Sequence, residues 1–127
     1  MSNQNYMSPA IEARLLQDSK TLDVAANVAE VSSETAPVVA TTGNSVVHLY
    51  GRVSVTTGAA NMGLATLPGV FASPAKQVYV AVPVDNAGTF KTGYVLISGL
   101  IVSAVGTPLD ADVYHLDNIC YIANPAS

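Results

Sequence analysis

From Val46 onward the chain alternates apolar and polar residues with a period of two. VVHLYGRVSV places Val47, Leu49, Val53 and Val55 on one side of a strand and His48, Tyr50, Arg52 and Ser54 on the other. QVYVAVPV repeats the pattern, with Val78, Val80, Val82 and Val84 on one face. Further strands are predicted over 62–67, 90–98, 100–105 and 117–123, separated by the turn chemistry of 56–61, of Asp85-Asn86-Ala87-Gly88 and of Gly99. Pro68-Gly69 and Pro74 mark a corner between two of these strands. Pro83 has no amide hydrogen, so its strand is expected to end there or to run along an edge. Short strands at this spacing predict a mainly β fold, an antiparallel β-sandwich or jelly-roll-like domain.

Residues 1–45 read differently. Ser8-Pro9 is a helix start, since Ser caps free amides and Pro fits the first turn. Ile11, Leu15, Leu22 and Val28 then recur at helical spacing. The expectation is an N-terminal arm over 1–45 with a short helix at about 9–20, ahead of a β domain over 46–127. Beyond residue 20 the stretch VAANVAEV fits an extended arm as well as a helix, because its valines weaken helix preference. Pro37 and the residues after it read as a linker. The narrow apolar stripe makes Ile11, Leu15, Leu16 and Leu22 the candidates for attachment to a larger assembly; folding back on the domain is the bland alternative.

Composition turns this pattern into a statement about partners. Half of the 127 residues are hydrophobic, and only 11% are charged, against roughly 25% in an ordinary soluble domain. A small domain has a large surface for its volume and normally covers it with charge. Burial of outer surface against copies of itself, or against another protein, is therefore expected. Net charge is −4, and Arg14, Lys20, Arg52, Lys76 and Lys91 stand singly, which argues against nucleic acid as a partner. The opening MSNQNYMSPA lacks the basic start and apolar run of a secretory signal. The longest apolar run, 95–106, is too short to span a bilayer as a helix, so no membrane partner is expected.

Catalytic chemistry is hard to find. Cys120 is the sole cysteine, so no internal disulfide forms, and a buried inert thiol made in a reducing cytosol is the expectation. His48 and His115 lack neighbours at metal-ligand spacing. Asp110, Asp112 and Asp117 form one carboxylate cluster, but PLDAD lacks the glycine and closing Glu of a calcium loop. A solvated loop is the default reading there. No nucleophile elbow, phosphate loop or dinucleotide fingerprint occurs. No enzyme, no cofactor and no metal are expected. The tyrosines of the β region remain, and Tyr at strand positions belongs to cores and interfaces more often than to sugar sites.

HLYGRVSVTTG (48–58), LATLPGVFASPAKQVYVAVP (64–83), TGYVLIS (92–98) and LDNICYIA (116–123) occur in an order that resembles the small β-sandwich modules of tailed-bacteriophage virion proteins. Such modules end tail fibres and baseplate proteins and also occur in head fibres and capsid decoration proteins. The resemblance covers about 46–123 and rests on turns rather than on a catalytic signature. It implies a homotrimer with a structural or adhesive role, located in the virion and made in the host bacterial cytoplasm. It carries over no catalytic residues. Only about 45 residues precede the module, few for a fibre shaft and enough for an anchoring arm.

The first expectation is therefore a trimeric capsid decoration, cement or head-fibre protein held to the major capsid protein or another virion protein by its arm. Tyr50, Tyr79 and Tyr94 are the candidates for the trimer contact. The alternative is a tail-fibre or baseplate tip that binds host-surface glycan through loops at 57–61, 85–89 and 106–112. A polysaccharide-cleaving enzyme using Asp110 or Asp112 is the weakest reading, because no pair of carboxylates can be placed across a cleft.

Overall fold

The computed structural model describes residues 18–30, 38–43, 46–67, 73–117 and 119–123. Among them are eleven strands and no helix: β1 (Asp18–Thr21), β2 (Asp23–Val24), β3 (Val28–Glu30), β4 (Val38–Gly43), β5 (Val46–Val55), β6 (Gly63–Thr66), β7 (Val78–Asn86), β8 (Thr89–Ser98), β9 (Ile101–Ala104), β10 (Val113–His115) and β11 (Ile119–Ile122). Every pairing is antiparallel. The mainly β architecture predicted from alternation is present, but as one curled sheet in the manner of a half-barrel.

The curl is made on β5. Its first half, Val46–Tyr50, lies between β4 and β11, and its second half, Arg52–Val55, between β3 and β10. Gly51 stands at the change of partners with φ of 102°, a conformation that glycine adopts without strain. Its N–H donates to Asp117 Oδ1 at 2.8 Å, and its carbonyl accepts from the Leu116 N–H at 2.9 Å. One small half of the sheet (β1-β4-β5-β11) thereby turns away from the large half, in which β5 continues through β10, β7, β8, β9 and β6 to β2.

The inward face of both halves is a single apolar core. Val47, Leu49, Val53 and Val55 of β5 are buried as their alternation predicts, together with Leu64, Val82, Val84, Val95, Ile97, Val102, Leu116 and Ile119. Val78 and Val80 are half-buried and pack against its margin. Pro83 pairs with Thr92 of β8, while on its other side β10 reaches only to Val84. The strand thus continues through the proline where its missing donor costs no described ladder bond. The predicted corner falls mostly on 68–72, outside the described residues; Pro74 forms a bridge with Ala123.

The chain before residue 46 departs from the expected arm. Residues 9–17 of the predicted helix lie outside the described residues, and Asp18–Thr21, which the helix reaches at Lys20, form a strand on β4. Residues 23–30 form two short strands, β2 on β6 and β3 on β5, around a turn at Asn27, φ 63°. Strand pairings thus cross the expected boundary at 45/46. Leu22 is only 1% exposed and belongs to the core, so its side chain serves the domain itself. Ile11, Leu15, Leu16 and the linker at Pro37 lie outside the described residues.

Candidate functional site on the outer face and loop end

Three loops meet at one end of the sheet, the same three that the sequence nominates. Gly58 N–H donates to Asp110 Oδ1 at 2.7 Å, Asn61 N–H to the Gly106 carbonyl at 2.6 Å, and Gly106 N–H to Asn61 Oδ1 at 2.9 Å. A Cβ on Gly58 would lie 2.0 Å from the Pro108 carbonyl oxygen, so only glycine lets the two loops approach this closely. Asn86, from the β7–β8 turn, donates from Nδ2 to the Asp110 carbonyl and to Asp112 Oδ1, both at 3.0 Å.

Asp112 organises this end. Its side chain is fully buried, which corrects the expectation of a solvated loop. Oδ2 accepts from the Leu109 N–H at 2.9 Å and lies 3.1 Å from Lys91 Nζ. Burial raises the carboxyl pKa, but the donors Asn86, Leu109 and Lys91 outweigh it and hold the group below its ordinary value. Ala111 beside it takes φ of 70°, a strained conformation for a residue with a Cβ. It is held by its N–H to the Val55 carbonyl and by the Val55 N–H to the Asp112 carbonyl, both 2.8 Å. Asp110 and Asp112 thus brace loops through the N–H donors of Gly58, Asn86 and Leu109. Among the described residues, no group of three His, Cys, Asp or Glu side chains is placed to hold a metal ion.

Next to this end, the outward face of the large half carries a polar cluster that the sequence did not reveal. His115 Nε2 lies 2.8 Å from Asp85 Oδ2 across the β7–β10 pair, with both side chains about one-fifth exposed. Arg52 is the register partner of His115 on β5. The hydrogen bond from His115 is the main cause that holds Asp85 below its ordinary pKa; the Gly88 amide and the charges of His115 and Arg52 add to it, against burial. Phe90 sits directly across from Asp85 on β8, 63% exposed, with its ring 5.7 Å from the His115 ring. An open groove of about 420 Å³ runs beside it, lined by Ala81, Val82, Pro83, Phe90, Lys91 and Thr92. An aromatic face beside a carboxylate–imidazole pair offers stacking for an apolar ring face and acceptors for hydroxyls. The only trace of this in the sequence is the outward phase of Asp85 and His115 on their strands; the register that joins them is tertiary.

The tyrosines divide by phase. Tyr114 and Tyr121 are buried, and burial pushes both phenols above their ordinary pKa, with the Asp112 charge adding at Tyr114. Tyr50, Tyr79 and Tyr94 are exposed. Tyr79 and Tyr94 lie on the outward face of the large half, and Tyr50 on that of the small half, where it stacks on His48 with ring centres 6.2 Å apart. Cys120 is also exposed, correcting the expected buried thiol. Ile119 and Tyr121 take the inward positions of β11, so Cys120 faces out, with Sγ 3.9 Å from His48 Nε2.

No family model matches this sequence, and no curated protein sequence matches it. Solved structures do match. The head domain of phage bIL170, described in connection with the receptor-binding domains of lactococcal phages, superposes with a TM-score of 0.63 at 14% identity, over 84% of this chain and 97% of that one. The receptor binding protein (gp15) of Listeria phage PSA gives 0.65 at 20% identity, over 90% of this chain and 69% of that one. The chain therefore shares the fold of the β domains in those two phage proteins.

Proposed function

We propose that this chain is a phage virion protein whose β domain binds a saccharide of the host surface, the reading that stood second in the sequence. The observation that carries it is the Asp85–His115 pair with the exposed Phe90 ring beside an open groove. Phe90 stacks on the apolar face of a sugar ring, and Asp85 accepts from ring hydroxyls. The braced loops at 57–61 and 106–112 keep this end rigid, so little ordering entropy is lost on binding. That both similar structures are named for receptor binding favours the same reading. The activity is binding rather than bond cleavage, since Asp110 and Asp112 are engaged by Gly58, Asn86, Leu109 and Lys91. The working form is a homo-oligomer, three copies by the resemblance stated above, and Ile11, Leu15 and Leu16 join it to the rest of the virion.

The test is binding of the purified protein to host cells and isolated host-wall polysaccharide, with phage capsids in parallel. Binding to cells and polysaccharide is expected, weakened about two- to tenfold by Phe90→Ala, roughly the loss of one stacking contact. Firm binding to capsids with none to cells or polysaccharide would overturn the reading in favour of a decoration protein.

A further inference from the structure

The groove beside Phe90 runs on along β8. Its lining includes Thr92 on β8 and Pro83 and Ala81 on β7, and Ala81 is the direct register partner of Tyr94. Val82 and Val84 of β7 and Val95 and Ile97 of β8 are buried. Alternation therefore sends Phe90, Thr92 and Tyr94, with Tyr79, Ala81 and Pro83, to the outward face. Lys91 falls in the opposite phase and reaches the buried Asp112. One strand face thus presents a ring, a threonine and a second ring, while the smaller Pro83 and Ala81 lie across the ladder from Thr92 and Tyr94. Tyr79 pairs with Leu96, which makes it a diagonal neighbour of Tyr94 and adds a third ring to the row. All three rings are more than half exposed.

Spacing decides what such a row can hold. Four residues of strand separate Phe90 from Tyr94, about 14 Å at roughly 3.4 Å per residue. One sugar ring stacked on Phe90 cannot touch Tyr94, whereas a chain of rings running along β8 meets both. A diagonal pair of strand residues stands about 7–8 Å apart, so the same chain passes from Tyr94 onto Tyr79. Thr92 offers a hydroxyl between the rings and each tyrosine offers another, and none of Tyr79, Ala81, Pro83, Thr92 and Tyr94 carries a charge. Rings for the apolar faces of sugars and hydroxyls for their rims are what successive residues of a saccharide chain require.

We infer that the site takes a linear stretch of saccharide, about three rings or more at this strand spacing, laid along β8 from Phe90 over Thr92 to Tyr94 and Tyr79. This rests on the saccharide reading of the proposed function and adds the length and path of the ligand. A single terminal sugar would use only the Phe90 end. Weak contacts repeated along one chain multiply, so affinity grows with the length of saccharide that the row engages. Tyr79 and Tyr94 then serve the ligand, and of the three exposed tyrosines Tyr50 alone is left for a contact between copies.

Fragments of isolated host-wall polysaccharide, separated by size and titrated calorimetrically into the full chain, provide the test. Affinity should rise with fragment length up to about three or four rings and then level off. Phe90→Ala should weaken short and long fragments alike. Tyr94→Ala should weaken only the longer ones, by about two- to tenfold, and Tyr94→Phe should keep their affinity. Both positions are exposed, so the variants should match wild type in melting temperature and in mass by light scattering. Equal affinity for one-ring and longer fragments, with Phe90→Ala damaging and Tyr94→Ala silent, would overturn the inference and leave the saccharide reading standing. A lower mass for Tyr94→Ala would overturn it too, because Tyr94 would then belong to a contact between copies. Binding of no fragment of any length would sink the saccharide reading, and the inference with it.

Discussion

Asp112→Ala removes the one fully buried carboxylate among the described residues, and its cost follows from what that group holds. Two donors, the Leu109 N–H and Asn86 Nδ2, point at it from 2.9 and 3.0 Å. A hydrogen bond to a charged acceptor contributes about 1.5–3 kcal/mol, largely because the donor left behind is unsatisfied. Lys91 is 47% exposed and returns to water, so its share is at most about 1 kcal/mol. Asn86 Nδ2 keeps the Asp110 carbonyl as an acceptor, so its share falls at the low end. Together these give a loss of about 3–5 kcal/mol, a large part of the roughly 5–15 kcal/mol that holds a domain folded. Urea denaturation reads it as a fall in midpoint of about 2 M at unchanged slope, for a slope near 2 kcal/mol per M. The difference must also depend on pH with a definite sign. Asp112 has its pKa depressed on folding, so its stabilisation is present above about pH 4, the unfolded value, and is lost as pH falls through the folded value. The gap between wild type and Asp112→Ala should narrow from pH 7 to pH 3. A loss under about 1 kcal/mol at pH 7, or a gap that widens in acid, would refute the assignment of Asp112 as the brace of the loop end.

Two more outcomes follow from residues whose placement was not expected. Leu22→Ala should cost about 2–5 kcal/mol by calorimetry or urea melts, because the side chain is buried in the core; an effect near zero would mean that β1 and β2 are not part of the cooperative unit. His115→Ala should raise the Asp85 pKa toward its ordinary value in a carbon-detected NMR titration, since the His115 hydrogen bond is the main cause of its depression. The stabilisation from Asp85 is present above the unfolded pKa and fades as pH falls through the folded one; an Asp85 titration indifferent to His115 would contradict the pair.

The alternation of apolar and polar residues determined most of the domain. β5, β7, β8 and β11 form where a period of two predicts them, and Val47, Leu49, Val53, Val55, Val82 and Val84 point inward as their phase requires. Alternation works because each strand has one wet and one dry face, so a local pattern records a global fact. Turn residues likewise marked the loops at 57–61, 85–89 and 106–112, although nothing local said that they share one end. The sequence was weakest where its signal was shared between states. Asp18–Thr21 and residues 23–30 carry mixed spacing, and pairing with β4, β5 and β6 decided for strand over β1, β2 and β3. β10 was missed because three residues are too few to show a period. The phase of Cys120 lay open to inspection: Ile119 and Tyr121 are its larger neighbours, and burying them turns the thiol outward.

What only the tertiary structure decided is which distant residues meet. Asp85 and His115 stand 30 positions apart and are joined by the β7–β10 register. Phe90 reaches the same spot through the β7–β8 hairpin. Asp112 looks in sequence like any acid in a polar loop, and becomes a buried brace because Asn86, Lys91 and Leu109 converge on it. A strand's own residues fix which side faces water. The partner across the ladder is fixed by the whole sheet, and with it the polar cluster on one outward face.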